Sequence, residues 1–123
     1  MLWKTVLGAI AGALLFGSTA AATNWTPLIQ DKDGHLLVDL DSTKAITQKG
    51  LGPIAIVSKF RRLETNDQYD ASVSVGDCLY EQGTITIGTD QVEQWSAKST
   101  KTFDLVAQYL CIWAVKTGVI GGE

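Results

Sequence analysis

The chain has 123 residues, with 10 basic and 13 acidic side chains and a formal net charge of −3. This length suffices for one small domain. Binding to nucleic acid needs clustered Lys and Arg side chains that neutralise the phosphates. We therefore do not expect this mildly acidic chain to bind nucleic acid.

Residues 1–22 have the parts of a secretory signal peptide. Lys4 supplies the positive charge, Val6–Phe16 the short apolar core, and Ser18–Ala22 the small residues that signal peptidase needs. The apolar run is shorter than the roughly 20 residues of a membrane span, and no cysteine follows it to carry a lipid anchor. We predict cleavage after Ala22 and release to the periplasm or the exterior, without a membrane span; the alternative is an uncleaved anchor.

Most of the remaining chain alternates apolar and polar residues with the period of a β-strand. Pro27 lacks a backbone donor, so the first strand should lie at an edge or begin just after Pro27, and the turn at Asp31–Gly34 favours a hairpin. The predicted strands are Trp25–Gln30, His35–Leu40, Ile54–Leu63, Ala71–Tyr80, Thr84–Ile87 and Val92–Trp95.

Two segments interrupt this pattern. Asp41–Gly52 is polar and broken, so we predict an irregular connection with a short helical turn at Ser42–Ile46, capped by Ser42. The apolar parity of Ala71–Tyr80 changes near Gly76 and Asp77, which predicts a β-bulge there.

Only Ser99–Lys116 has the period of an α-helix. Its apolar residues are Phe103, Val106, Ala107, Leu110, Cys111 and Ala114. Ser99 or Thr100 is the expected N-cap and Gly118 the C′ residue. We therefore assign residues 23–118 to one domain and residues 119–123 to a flexible tail.

The two cysteines, Cys78 and Cys111, permit one intramolecular pairing, and outside the cytoplasm they should form a disulfide. Cys78 is expected within the fourth strand and Cys111 on the helix. The sequence thus predicts an α+β fold with a single antiparallel sheet of about six strands. One C-terminal helix packs on a face of this sheet and is linked to it by the disulfide.

Few residues are candidates for chemistry. His35 is the only histidine, and without neighbouring ligands we expect it to be structural, so we predict no catalytic residues, metal or cofactor. The aspartates around Asp31–Gly34 are better explained by turns than by a calcium loop, which would need a glutamate where Ser42 stands. The basic patch Lys59, Arg61 and Arg62 is the candidate site for an acidic partner; alternatively, these long side chains only cover the strand.

Several residues in order resemble the bacterial surface-adhesin protein E family. They are Trp25, Leu37-Val38-Asp39, the strand Ile54–Leu63, Asp77-Cys78, Gly83, Trp95, Ser99 and the helix with Cys111. The resemblance implies an antiparallel sheet of about six strands with a C-terminal helix, and a role in binding host extracellular-matrix or serum proteins. Relatives in that family are lipoproteins, whereas this chain has no cysteine for a lipid.

We therefore expect a secreted or periplasmic, non-catalytic binding module that holds a protein or peptide by an exposed strand edge or by the basic patch. The alternative is a periplasmic inhibitor that inserts the Asp41–Pro53 segment into the cleft of an enzyme such as a lysozyme or a protease. A hydrolytic enzyme is disfavoured because no triad or metal set is recognisable.

Overall fold

The computed structural model describes residues 24–121, so the predicted signal peptide lies outside the described residues. Six strands form one antiparallel sheet in which each strand pairs with its neighbours in sequence. The elements in chain order are β1 (Trp25–Asp31), β2 (Gly34–Gln48), β3 (Gly52–Arg62), β4 (Gln68–Ser74), α1 (Val75–Tyr80), β5 (Gln82–Ile87), β6 (Gln91–Ser96) and α2 (Thr102–Lys116).

The hydrophobic core lies between one face of the curled sheet and α2, as expected for a sheet with alternating apolar residues. Its largest fully buried apolar side chains are Phe60, Leu36, Ile56, Ile85 and Leu110. The Tyr109 ring lies edge-on to Phe60, with ring centroids 6.2 Å apart. The predicted fold class is therefore confirmed.

The prediction of a helical turn at Ser42–Ile46 was wrong, because β2 continues to Gln48. Its pairing with β3 shifts register between Asp39 and Lys44, which turns the Thr43 hydroxyl inward. There Thr43 Oγ1 lies 2.7 Å from the Ser58 hydroxyl and 2.6 Å from the Tyr109 hydroxyl. A buried hydroxyl is tolerated when it is hydrogen-bonded. These two contacts therefore allow the polar residues after Leu40 to continue β2.

The predicted strand Ala71–Tyr80 is correct as far as Ser74, but its second half and the bulge were wrong. β4 ends at Ser74, and the short helix α1 follows. The Ser74 hydroxyl accepts a hydrogen bond from the Asp77 amide (3.0 Å), so Ser74 is the N-cap. The helix ends at Tyr80, and the C-cap residue Glu81 has a left-handed φ of 61°. The change in parity therefore marks a change of secondary structure rather than an extra strand residue.

The start of α2 is organised by Asp104 rather than by Ser99 or Thr100. Its carboxylate accepts from the amides of Ser96 (2.8 Å) and Lys101 (3.1 Å), and Lys101 occupies the N-cap position. The bond from the Lys101 amide satisfies an N–H group at the start of the helix that has no partner within the helix.

The end of α2 has Gly118 in the left-handed region (φ 84°), as expected for C′. We expected a loose tail after it, but the turn at Gly118 brings Ile120 back to the core, where it is buried. The Ile120 amide donates to the Ala114 carbonyl (3.1 Å).

The disulfide between Cys78 and Cys111 is confirmed, with 5.5 Å between the Cα atoms. It joins α1 to the middle of α2 rather than a strand to the helix. The covalent link therefore ties together the two helices that flank β5 and β6.

Candidate functional site

The basic patch is divided by the pleat of β3, since successive residues of a strand face opposite sides. Arg62 lies on the core side, where its guanidinium donates two hydrogen bonds to the Asp31 carboxylate (2.8 and 3.2 Å). Thr102 donates a third to the same carboxylate. The hydrogen bond from Arg62, followed by that from Thr102, lowers the pKa of Asp31 to about 2. Arg62 is thus committed to an internal ion pair.

Lys59 and Arg61 lie on the opposite, outer face of the sheet. The Arg61 guanidinium lies 5.1 Å from the centroid of the Trp25 ring, within range for a cation–π contact. The Lys59 ammonium lies 3.5 Å from an Asp70 carboxylate oxygen, and both side chains are exposed. The structure therefore brings together only two of the three predicted binding residues.

His35 and the aspartates of the first turn have structural partners. Glu64 accepts from the His35 amide (2.8 Å) and lies 2.8 Å from its Nδ1 atom, and the side-chain bond is the main cause of the lowered pKa of Glu64. Asp31 also accepts from the Asp33 amide (2.9 Å) within the turn. Over residues 24–121, no group of three or more His, Cys, Asp or Glu side chains is placed to hold a metal ion.

A concave surface lies where β6 meets α2, and it consists of two clefts that share Trp95. The disulfide cleft has a volume of about 440 Å³ and is lined by Cys78, Cys111, Trp95, Gln108, Ile112 and Val115, among others. The Phe103 cleft has a volume of about 420 Å³ and is lined by Glu93, Gln94, Trp95, Lys101, Phe103 and others.

Trp95 is the unusual residue of this surface. Its side chain belongs to the core cluster and is only 4% exposed. Its indole Nε1 is nonetheless buried without a hydrogen-bond partner among residues 24–121. A buried donor without an acceptor is costly, and most buried polar groups have a partner. Because Trp95 lines both clefts, it is the candidate contact residue of this surface.

Apolar side chains surround the disulfide cleft. Ile112 and Val115 of α2 line it and are 43% and 59% exposed. Leu79 and Tyr80, which are more exposed still, lie in sequence between Cys78 and Glu81, two further lining residues. Clusters of exposed apolar residues beside a concavity are typical of interaction sites.

A second exposed feature is the hairpin formed by the end of β2 and the start of β3. Leu51, in its loop, is 70% exposed, and Ile46 and Ile54 on the flanking strands are partly exposed as well. The Asp41–Pro53 segment is thus a β-hairpin arm with an apolar tip rather than an irregular loop.

Sequence reasoning missed the site between β6 and α2. The sequence predicts Trp95 only as the end of the last strand, and no pattern shows that its N–H is unpaired. The one available signal is the solvent side of the predicted helix, which carries Ile112 and Val115 where polar residues are usual.

Comparison of the chain with protein families, with curated proteins and with solved structures finds no match. The resemblance to the surface-adhesin protein E family accordingly stays a prediction. Neither helix within residues 24–121 has the length and apolar character needed to cross a membrane.

Proposed function

We propose that the protein is a non-catalytic binding module, periplasmic or secreted, that holds a protein or peptide partner on the surface between β6 and α2. The observation that carries this proposal is Trp95, a buried indole with an unpaired N–H that lines two adjacent clefts. Tryptophan is enriched at binding hot spots because it combines a large apolar area with one directional donor.

The surroundings of Trp95 favour a partner that is mainly apolar. Ile112 and Val115 expose aliphatic surface beside it, and burial of such surface is favourable by about 25 cal/mol per Å². The charges on the rim of the disulfide cleft, Glu81 and Lys116, are opposite in sign, so neither strongly acidic nor strongly basic partners are selected.

Two observations support export. The first 22 residues have the pattern of a signal peptide, and the disulfide is of the kind that persists in oxidising compartments. The resemblance to surface-adhesin protein E favours host extracellular-matrix or serum proteins as partners.

The test is the selection of binders from a displayed library of random 12-residue peptides and from a panel of purified extracellular-matrix and serum proteins. We expect Ile112→Ser combined with Val115→Ser to weaken the selected interactions at least about tenfold, as is usual for residues at the centre of an interface. Leu63→Ser, a change of an exposed apolar residue outside both clefts, is the matched control. Equal affinity of the double variant and the control would contradict this surface as the site.

The second candidate function, enzyme inhibition, is favoured by one observation, the apolar tip of the β2–β3 hairpin. A projecting hairpin with Leu51 at its tip has a suitable shape for insertion into an active-site cleft. The measurement is the inhibition of lysozyme and of serine proteases by the purified protein, with Leu51→Ser as the variant that should abolish inhibition. If Leu51→Ser leaves the inhibition unchanged, the hairpin is not the inhibitory segment.

A further inference from the structure

The two edges of the sheet differ in how their backbone groups are used. At the β1 edge, the Leu40 amide donates to the Asn24 carbonyl (3.1 Å), so Asn24 faces β2. Because the backbone groups of a strand alternate in direction, Pro27 faces outward, where its missing N–H leaves no donor. A register shift between Pro27 and Ile29 interrupts this edge further. Proline and bulges both protect an edge against pairing.

At the β6 edge, the direction of the backbone groups is fixed by Ser96. Its amide donates to Asp104 (2.8 Å) and its carbonyl accepts from the Gln108 side chain (3.2 Å), so both groups point away from β5 and toward α2. The register between β5 and β6 is regular from Gln82–Ser96 to Ile87–Gln91. In a regular antiparallel pair, the N–H and C=O of one residue point to the same side and alternate along the strand.

It follows that the N–H and C=O groups of Val92 and Gln94 also point away from β5. Within the part of the chain that the structure describes, β6 is the last strand of the sheet, and no hydrogen bond reaches these four groups. The hydrogen bonds that α2 makes with the backbone of β6 are at Ser96. This edge carries neither proline nor bulge.

We propose that β6 accepts an extended peptide as a seventh strand, paired antiparallel through the backbone of Val92 and Gln94. This inference rests on the proposed function and specifies the form of its partner. An open row of alternating donors and acceptors is complementary to another extended backbone and to few other ligands. Antiparallel pairing is the more stable arrangement per residue.

The Phe103 cleft lies along the same edge and supplies side-chain selectivity. It is lined by Gln94 and Trp95 on one side and by Phe103 on the other, so an apolar side chain of the added strand would enter it. Glu93 lies toward the start of β6, and Lys101 follows its end. In an antiparallel peptide, an acidic residue near the N-terminus would therefore meet Lys101, and a basic residue near the C-terminus would meet Glu93.

A second copy of the chain fits this edge less well. A two-fold pairing that uses both Val92 and Gln94 places Glu93 of each copy directly opposite Glu93 of the other. Like charges directly opposite one another are destabilising in a sheet. A separate peptide has no such restriction.

The experiment uses peptides selected from the displayed random library and compares two substitutions at one position. Val92→Pro removes the N–H that points away from β5 and so leaves the hydrogen bonds between β5 and β6 in place. Val92→Ala keeps this N–H and shortens the side chain. We expect Val92→Pro to weaken binding at least about tenfold and Val92→Ala to weaken it less than about threefold. On binding of peptide to the unaltered protein, hydrogen exchange of the Val92 and Gln94 amides should slow at least about tenfold, which checks the inference without any variant.

If selected peptides bind equally to Val92→Pro and Val92→Ala, or leave both amides unprotected, strand addition at β6 is refuted while peptide binding itself stands. Failure to select any peptide or matrix or serum protein would refute both the proposed function and this inference. A concentration-dependent dimer of the unaltered protein that Val92→Pro abolishes would show that a second copy occupies the edge, and would also overturn the inference.

Discussion

Arg62 and Asp31 form a two-pronged ion pair that spans β2, since the two residues lie on β3 and β1. Their side chains are only 16% and 20% exposed. Thr102, the first residue of α2, donates to the same carboxylate. The Asp31 carboxylate therefore connects β1 and β3 with the start of α2. Because Arg62 is held in this ion pair, it does not act as a free cation on the surface.

The ion pair predicts a loss of stability in acid. Asp31 has a pKa of about 2 in the folded protein, against an ordinary value of 3.8. A carboxyl with a lowered folded pKa stabilises the fold above its unfolded pKa, and that contribution disappears as the pH falls through the folded pKa. We expect the free energy of unfolding to fall by about 2 kcal/mol between pH 5 and pH 2 through this group.

The measurement is urea unfolding at a series of pH values. Asp31→Asn is the control, since it should be less stable at pH 7 and lose less stability on acidification. Parallel pH profiles for the two proteins would contradict the assignment.

Removal of the disulfide should destabilise the domain strongly. Cys78 and Cys111 are 33 residues apart in sequence, and the chain-entropy model gives a loss of about 4 kcal/mol for a loop of that length. Cys78→Ser combined with Cys111→Ser should show this loss in denaturant unfolding. The same loss is expected when the unaltered protein is reduced, and reduction should raise its intact mass by two hydrogens. A double variant as stable as the oxidised protein would be contrary to this expectation.

Because Arg61 contacts Trp25, we predict that Arg61 contributes more to the stability of the fold than Lys59 does. Arg61→Ala should lower the free energy of unfolding by about 0.5–1 kcal/mol, because the cation–π contact and the cover over the ring are lost. Lys59→Ala should change it by less than about 0.5 kcal/mol, since the Lys59–Asp70 pair is exposed. Equilibrium unfolding of both variants measures the two losses of stability. A larger loss for Lys59→Ala than for Arg61→Ala would contradict the prediction.

The close approach of Gly83 to Asp77 predicts coupling between β5 and α1. A Cβ added at Gly83 would overlap the Asp77 carboxylate, which accepts a hydrogen bond from the Thr84 amide (3.1 Å). We expect Gly83→Ala to cost about 1–3 kcal/mol of stability.

A double-mutant cycle with Asp77→Ala tests this prediction. Asp77→Ala removes the overlapping group, so the double variant should lose less stability than the sum of the single variants. Additive losses would show that the cost at Gly83 has another origin.

The sequence predicted what depends on local pattern. Alternation predicted all six strands and placed the ends of β1, β3, β5 and β6 to within two residues, whereas it ended β2 eight residues too early and β4 six residues too late. The period of 3.6 located α2, and the count of cysteines gave the disulfide. It failed at Thr43, because the partner that makes this polar residue acceptable inside the sheet is Tyr109, far away in sequence.

Two further differences have similar physical causes. The stretch Val75–Tyr80 was predicted as part of a strand with a bulge, but the cap at Ser74 and the hydrogen bond that the Thr84 amide donates to Asp77 favour a helical turn. The surface at Trp95 depends on which backbone and indole groups remain unpaired after folding. That property belongs to the assembled sheet and helix and has no local sequence pattern.

The pairing of every strand with its sequence neighbour also bears on how the protein reaches its native state. Loop closure is inexpensive for neighbouring strands, and proteins rich in local contacts fold fast. The contact between Asp31 and Thr102, 71 residues apart, is by contrast distant in sequence. We therefore expect the hairpins to form first and α2 to dock last. The two thiols meet only after docking, so oxidation locks a domain that is already folded and does not guide the chain toward it.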